Sequence, residues 1–362
     1  MSQLRRPGDL SINSRRRDRV DVGLFIPVSG AAGIWGPSCR SCAELAAAEI
    51  NARGGLQNRE IVLRIVDAGR SGEEVADIAQ EMLENGQMDA LVGMHTSDVR
   101  TALAERIGGR VPYVYTPLYE GGEVGRGVYC IGETPARQLL PGLDWLAERF
   151  DARRWMLIGN DYIWPRTTHR IVQRHFQRRG QQILDEIYVP FGTKRFEHII
   201  ERVKALNPDG LLLSVVGEDA VHFNRAFGAS GLSSSIVRFS CAIEENMLLA
   251  IGDANLERLF VASGYFGALD NRGNDSFRER YHSRFGDAGP TLNTIGQGLY
   301  EGMRFLDTLS KVSDGEGWRR PSQALGGEGV RGGFYDLARE NCATTYLAEA
   351  QGYDFRILAS FA

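Results

Sequence analysis

The feature that most constrains how this chain can fold is a near-regular alternation of short apolar runs with longer amphipathic segments. Val20–Val28 is an apolar run followed by a turn holding Gly30, Gly33 and Gly36, and Cys39–Asn51 then reads as a helix that stops at Gly54–Gly55. Glycine just past a helix supplies the residue that ends it. The order repeats with strand Ile61–Asp67, helix Ser71–Asn85, strand Ala90–Met94, helix Ser97–Ile107 and strands Pro112–Tyr115 and Val128–Ile131. Ser71 is placed to cap its helix, and Glu73 and Glu74 suit the positive end of the helix dipole. The series then restarts: helix Pro135–Phe150, strand Trp155–Gly159, helix Pro165–Arg179, strand Gln182–Val189, helix Phe196–Leu206 and strand Gly210–Val216. Helix Asp219–Ala229, strand Ile236–Cys241, helix Glu244–Ile251 and strand Leu259–Tyr265 follow. Helices Phe277–Phe285 and Thr294–Ser310 precede a β-hairpin, Tyr346–Ala350 and Phe355–Leu358 about Gln351–Gly352.

Alternation of this kind requires parallel sheets covered by helices on both faces. The run Leu211, Leu212, Leu213, Val215 and Val216 fits a strand buried on both sides. At 362 residues the chain exceeds one compact core and suits two lobes. The predicted fold class is therefore α/β, with two doubly wound parallel-sheet lobes.

A formal net charge of -4 gives no basis for direct nucleic-acid binding. No stretch approaches the ~20 apolar residues of a membrane span. Cys39 and Cys42 form a C-x-x-C pair, with no second pair or histidine spacing to make a zinc site, so they read as small helix residues against a sheet. Residues 1–19 hold Arg5, Arg6, Arg15, Arg16 and Arg17 and read as a flexible basic arm. A secretory signal needs an apolar run of about 7–15 residues there. The arm has none, which gives a cytoplasmic expectation, or a periplasmic one if the true start lies upstream.

Ligands of doubly wound folds bind beyond the carboxyl ends of the strands. His95, Thr96 and Ser97 follow one strand and open a helix, whose unpaired N–H groups favour an oxygen ligand. Tyr115, Thr116 and Pro117 follow the next strand. In the second series Tyr162 and Trp164 follow a strand, Val216 ends another, and Cys241 ends a third. Facing each other, these groups form a largely apolar cleft with a few aimed polar atoms, the form of a small-molecule site. Glu244 and Glu245 fit a helix first turn, or a counter-charge for an ammonium. No catalytic motif accompanies them. The six histidines lack metal spacing, and no nucleophile elbow or phosphate loop is present. His169 and His175 are expected to be solvated on a polar helix face.

At Gly159–Asn160–Asp161–Tyr162–Ile163–Trp164–Pro165–Arg166 and Asp185–Glu186–Ile187–Tyr188–Val189–Pro190 the sequence resembles the type I periplasmic-binding-protein superfamily. Val92–Gly93, Tyr119–Glu120–Gly121 and Ser214–Val215–Val216–Gly217 support this, and the similarity runs from Val20 to the C-terminus. Within the superfamily it is similar to the amide- and urea-binding branch, which includes cytoplasmic amide sensors of aliphatic amidase operons. The resemblance implies a three-strand hinge with crossings near Gly132, Ser263 and Gly327. One lobe is then 20–132 plus 264–326, and the other is 133–263 plus 327–362. It implies that Ser97, Tyr115, Thr116 and Pro117 meet the ligand from one lobe and Tyr162, Trp164, Val216 and Cys241 from the other. His95 stands where the sensors have Tyr, Cys241 where they have Thr, Thr116–Pro117 is shifted by one, and Asn341–Cys342 stands where many relatives have Asn followed by His.

The implied function is non-catalytic and needs no cofactor: hinge closure around a short amide or urea-like ligand, with an RNA-binding antiterminator as the regulated partner. The alternatives are the substrate-binding subunit of an ABC importer for amides, urea or branched-chain amino acids, and an amide-processing enzyme. Assembly into a homo-oligomer stays open. With no carboxylate at the matched positions, a neutral ligand is expected, unless Glu218 or Glu244 turns into the cleft.

Overall fold

The computed structural model of the chain describes residues 18–122, 125–312, 329–330 and 344–361. Most of the basic arm, the crossing near Gly327 and Asn341–Cys342 lie outside the described residues.

The first lobe is built on a five-stranded parallel sheet: β1 (Arg19–Ile26), β2 (Glu60–Asp67), β3 (Ala90–Gly93), β4 (Tyr113–Tyr115) and β5 (Val128–Cys130), in the order β2-β1-β3-β4-β5. One face packs on α2 (Gly72–Glu84) and α3 (Ser97–Ile107), where Phe25, Leu91 and Tyr113 meet Val75, Ala79 and Leu103. The other packs on α1 (Gly36–Ala52), with Val22, Leu24 and Val92 against Cys39, Ala43 and Ala46. Cys39 and Cys42 are fully buried free thiols in that layer. Each such large side chain buried stabilises by about 1.5–3 kcal/mol. An exposed pair such as Arg40–Glu44 contributes about 0–1 kcal/mol, so the sheet faces decide the fold.

The chain leaves this sheet after β5, and α4 (Pro135–Gln138) and α5 (Leu140–Phe150) open the second lobe. Its sheet has seven strands: β6 (Arg154–Asn160), β7 (Gln182–Val189), β8 (Gly210–Ser214), β9 (Val237–Ser240), β10 (Leu259–Ser263), β11 (Thr345–Gln351) and β12 (Asp354–Phe361). Their order is β12-β11-β10-β9-β8-β6-β7. β6 to β10 are parallel, and the β11–β12 hairpin adds antiparallel on β10. Helices α6 (Ile163–Arg179), α7 (Glu197–Leu206), α8 (Gly217–Ala229) and α9 (Glu245–Ile251) connect these strands. After β10 the chain returns: α10 (Arg272–Phe285) and α11 (Thr294–Val312) both contact α1.

Helix α10 begins at Arg272, five residues before the expected Phe277, because the Asn271 side chain caps it by accepting from Asn274 N–H, and three further expectations need correction. Pro135–Phe150 is two helices meeting at Leu139, because Pro141 has no N–H to continue the hydrogen-bond ladder. The first helix begins at Gly36, three residues before Cys39, because a 3-10 turn over Gly33–Trp35 leads straight into it and Pro37 suits its first turn. His169 and His175 are not solvated. His169 is fully buried beside Glu186 at 3.1 Å, and half-buried His175 lies 2.7 Å from Asp144. A helix docked on an edge strand buries even its polar side wherever carboxylates are there to receive it.

Candidate functional site

The carboxyl ends of both parallel sheets point toward the space between the lobes, and helices α3 and α6 come into contact there. α3 begins at Ser97 after Thr96, whose extended backbone makes the turn from β3 while its hydroxyl makes no capping bond. The first N–H groups of α3 therefore lack helical acceptors and face the interlobe side. Tyr115, the last residue of β4, is buried; its phenol donates to the His95 carbonyl at 2.8 Å and is also within hydrogen-bonding reach of Ser97. Burial pushes this phenol well above the usual tyrosine range.

From the second lobe, Tyr162 occupies the extended position before α6. Its phenol is raised by burial and then by Tyr115, Glu120, Asp98 and Cys241. All but Cys241 belong to the opposite lobe, so the Tyr162 hydroxyl lies across the cleft from the Ser97–Tyr115 wall. Its ring packs on Phe191 at 4.9 Å and lies 6.4 Å from the buried Trp164, whose indole N–H has no partner. Val216 precedes α8 and donates its backbone N–H to Asn160 Oδ1 at 2.9 Å. Cys241, buried just past β9, has its thiol raised by burial and by Glu244 and Glu133.

Two of the expected residues turn inward. The His95 ring packs at a tilt against Tyr115, with centroids 5.1 Å apart, and meets Tyr113 Oη at 3.1 Å. Burial drives its pKa down to about 3, so it is a neutral part of the lobe wall. The Thr116 hydroxyl donates to the Gly93 carbonyl at 3.2 Å, which ties β4 to β3. Pro117 is buried behind it.

Sequence reasoning weighed Glu244 as a possible counter-charge but did not place Asp98 or Glu120 at the site. Asp98, in the first turn of α3, has a buried oxygen with no partner. Glu120, in the loop after β4, pairs with Arg100 at 2.6 Å. Glu244, just before α9, accepts from Trp35 Nε1 at 2.6 Å, a buried bond from one lobe to the other. Burial raises Glu244 to about 8 against the effect of that bond, with Glu245 adding. These acids come from outside the matched positions, and Glu244 is one of the two that the sequence left open. Glu218 does remain exposed. Glu120 carried a signal in Tyr119–Glu120–Gly121; Asp98 looked like an ordinary helix-start acid.

The lobes also touch through backbone. Glu218 N–H donates to the Ala31 carbonyl at 2.9 Å, and Asn246 Nδ2 donates to the Ile34 carbonyl at 3.1 Å. Among the described residues there is no cluster of three or more potential metal ligands, and no helix is long and apolar enough to cross a membrane.

Comparison with known proteins fits this geometry. The family described as periplasmic binding protein matches residues 19–331. Leu/Ile/Val-binding protein homolog 6 of Brucella melitensis is 22% identical over 313 residues, covering 85% of this chain and 80% of that protein. A solute-binding protein of an ABC transporter from R. palustris, solved in complex with benzoate, superposes with a TM-score of 0.83 at 17% identity, over 94% of this chain and 96% of that one. A branched-chain amino acid transporter substrate-binding protein from Streptococcus pneumoniae, solved with isoleucine, gives 0.81 at 16% identity, over 95% and 99%. At such identities the solved structures speak to the fold alone.

Proposed function

Because this chain belongs to the periplasmic binding protein family, matched from residue 19 to 331, we propose that it is the solute-binding component of an ABC importer, a hinged receptor that closes on one small polar organic molecule and catalyses nothing. The observation that carries this reading is the position of Tyr162 across the cleft from Tyr115, Asp98 and Glu120. A ligand touching both walls binds the closed form better than the open one, and that difference in affinity is what drives closure. Ser97 and Tyr115 hold the ligand from the first lobe, and Tyr162 and Cys241 from the second. Thr96, Trp164 and Val216 shape the walls, with His95, Thr116 and Pro117 behind them.

The relatives named for transport or for Leu/Ile/Val binding support the importer over the amide sensor. The His95 ring meets only the buried Tyr113 phenol and the Thr96 carbonyl among the bonds described, with no carboxylate to orient it, which favours a receptor over an enzyme. Thermal shift and calorimetry with amino acids, aromatic acids, amides and urea test the reading. A true ligand at a hundredfold excess over Kd stabilises by about 2.7 kcal/mol; no response to any of these compounds overturns it. Cell fractionation tests the role. An importer component lies outside the cytoplasmic membrane, whereas a sensor stays in the cytosol and copurifies with an RNA-binding partner.

A further inference from the structure

Going beyond that reading, we propose that the chain pairs with a second copy of itself, the arginine row of α6 in the second lobe lying against the acidic row of α2 in the first lobe of the other copy. α6 holds five arginines and no acid. Arg166, Arg170, Arg174 and Arg178 recur every four residues and are all exposed, so they form one row on its solvent face. The carboxylates on either side of that row are already engaged. Asp161 pairs with Arg166, Asp144 with His175 and Arg179, and Glu186 takes bonds from His169, Gln173 and Tyr188. Among the described residues no carboxylate pairs with Arg170, Arg174 or Arg178; the bonds of Arg170 go to the Arg166 carbonyl and the Thr167 hydroxyl.

α2 is the opposite. It holds five acids and no base, and Glu73, Asp77, Glu81 and Glu84 stand exposed on one face. Arg106 of α3 serves Glu73 and Asp77 together, and among the described residues no cation pairs with Glu81 or Glu84. A solvated helix ordinarily mixes its charges, because like charges four residues apart repel. Neither row does so, and each runs to the helix end where the dipole opposes it. Arg166 sits near the start of α6, and Glu81 and Glu84 lie in the last turn of α2. At about 1.5 Å per residue the rows are about 18 Å and about 17 Å long. Within one chain α2 packs on α3, and no described ion pair joins the two rows. A second copy supplies both, so a two-fold pair matches α6 with α2 twice. A nucleic acid or an anionic membrane would meet net repulsion from the rest of a chain of formal charge -4, whereas the acidic row of another copy matches in sign and in length.

Sedimentation of the full chain tests the pairing. A dimer should form in about 0.05 M salt, and about 0.5 M salt should screen the rows and weaken association at least tenfold. Arg170→Glu with Arg174→Glu, and separately Glu81→Arg with Glu84→Arg, should each weaken association at least tenfold at low salt. An equimolar mixture of the two variants should restore it, because the reversed α6 of one then faces the reversed α2 of the other and the two unreversed rows still match. A thermal melt of each variant, and the recovery on mixing, separate a lost interface from a lost fold. The milder Arg170→Gln with Arg174→Gln should act in the same direction, and it decides the matter if a reversal unfolds the chain. A parent chain that stays monomeric at low salt overturns the inference, and so do variants that stay apart when mixed. A monomer whose arginine row instead holds phosphatidylglycerol vesicles overturns it in favour of a membrane contact. The receptor reading is judged separately, by the ligand screen.

Discussion

A carboxylate is written in a sequence as a surface residue, and only packing makes it anything else. Glu244 reads as a helix-start acid, yet the fold brings Trp35, Cys39, Cys241 and Glu245 around it and raises its pKa to about 8. The unfolded chain releases that proton near the usual value of about 4.3. The native state therefore holds the proton more tightly than the unfolded one. Stability from this group is greatest below pH ~4.3 and declines as pH rises to about 8. Glu245, raised to about 7 by burial, acts in the same direction. Glu244→Gln keeps an oxygen for Trp35 and removes the titration. Melting at pH 5 and pH 8.5 should show a smaller drop in the variant than in the parent chain, with the share of Glu245 remaining; an equal drop refutes the assignment. The residues that sequence position alone could identify were those at strand ends, namely Ser97, Tyr115 and Tyr162. Asp98 and Glu120 escaped because their partners lie on other elements, and no local spacing encodes that.

At the level of elements most of the chain was legible, since periodicity and stop signals are local properties. The helix from Ser97 to Ile107 lies where its sequence places it, and the C-terminal hairpin pairs as the turn at Gly352 indicates. The failures have local causes too: Pro141 divides one helix, and the turn at Gly33–Trp35 lengthens another. What could not be read is where elements press on one another. Gly132, in the segment leaving the first sheet, is one such place. A Cβ added there would lie 2.1 Å from the Pro117 carbonyl oxygen, a contact that backbone cannot relieve cheaply. Gly132→Ala should cost about 1–3 kcal/mol, the usual range for overpacking. Urea denaturation should show a lower midpoint at an unchanged slope; an unaltered midpoint means that the segment yields freely.

The two-lobed architecture followed from chain length and alternation, but the contact between lobes did not, because it joins residues far apart in sequence. Gly217 marks it. Its φ of +58° is left-handed, and an added Cβ would sit 2.1 Å from the Ala31 carbonyl oxygen of the other lobe. Gly217→Ala should leave each lobe folded, apart from about 1–2 kcal/mol for the left-handed conformation. It should hold the lobes apart, weaken ligand binding at least tenfold and enlarge the radius of gyration seen by small-angle scattering. Unchanged scattering with unchanged affinity would show that closure does not need this approach. The path of the chain carries a further consequence. The second sheet is completed by β11 and β12, made after α10 and α11 have already been added to the first lobe. On the ribosome, β10 emerges with one edge unpaired, and it stays so until more than eighty further residues (264–344) have been synthesised. The nascent chain is thus most prone to aggregate late in synthesis. Halves of this protein expressed separately should be insoluble, and a holdase chaperone should bind it longest in that interval.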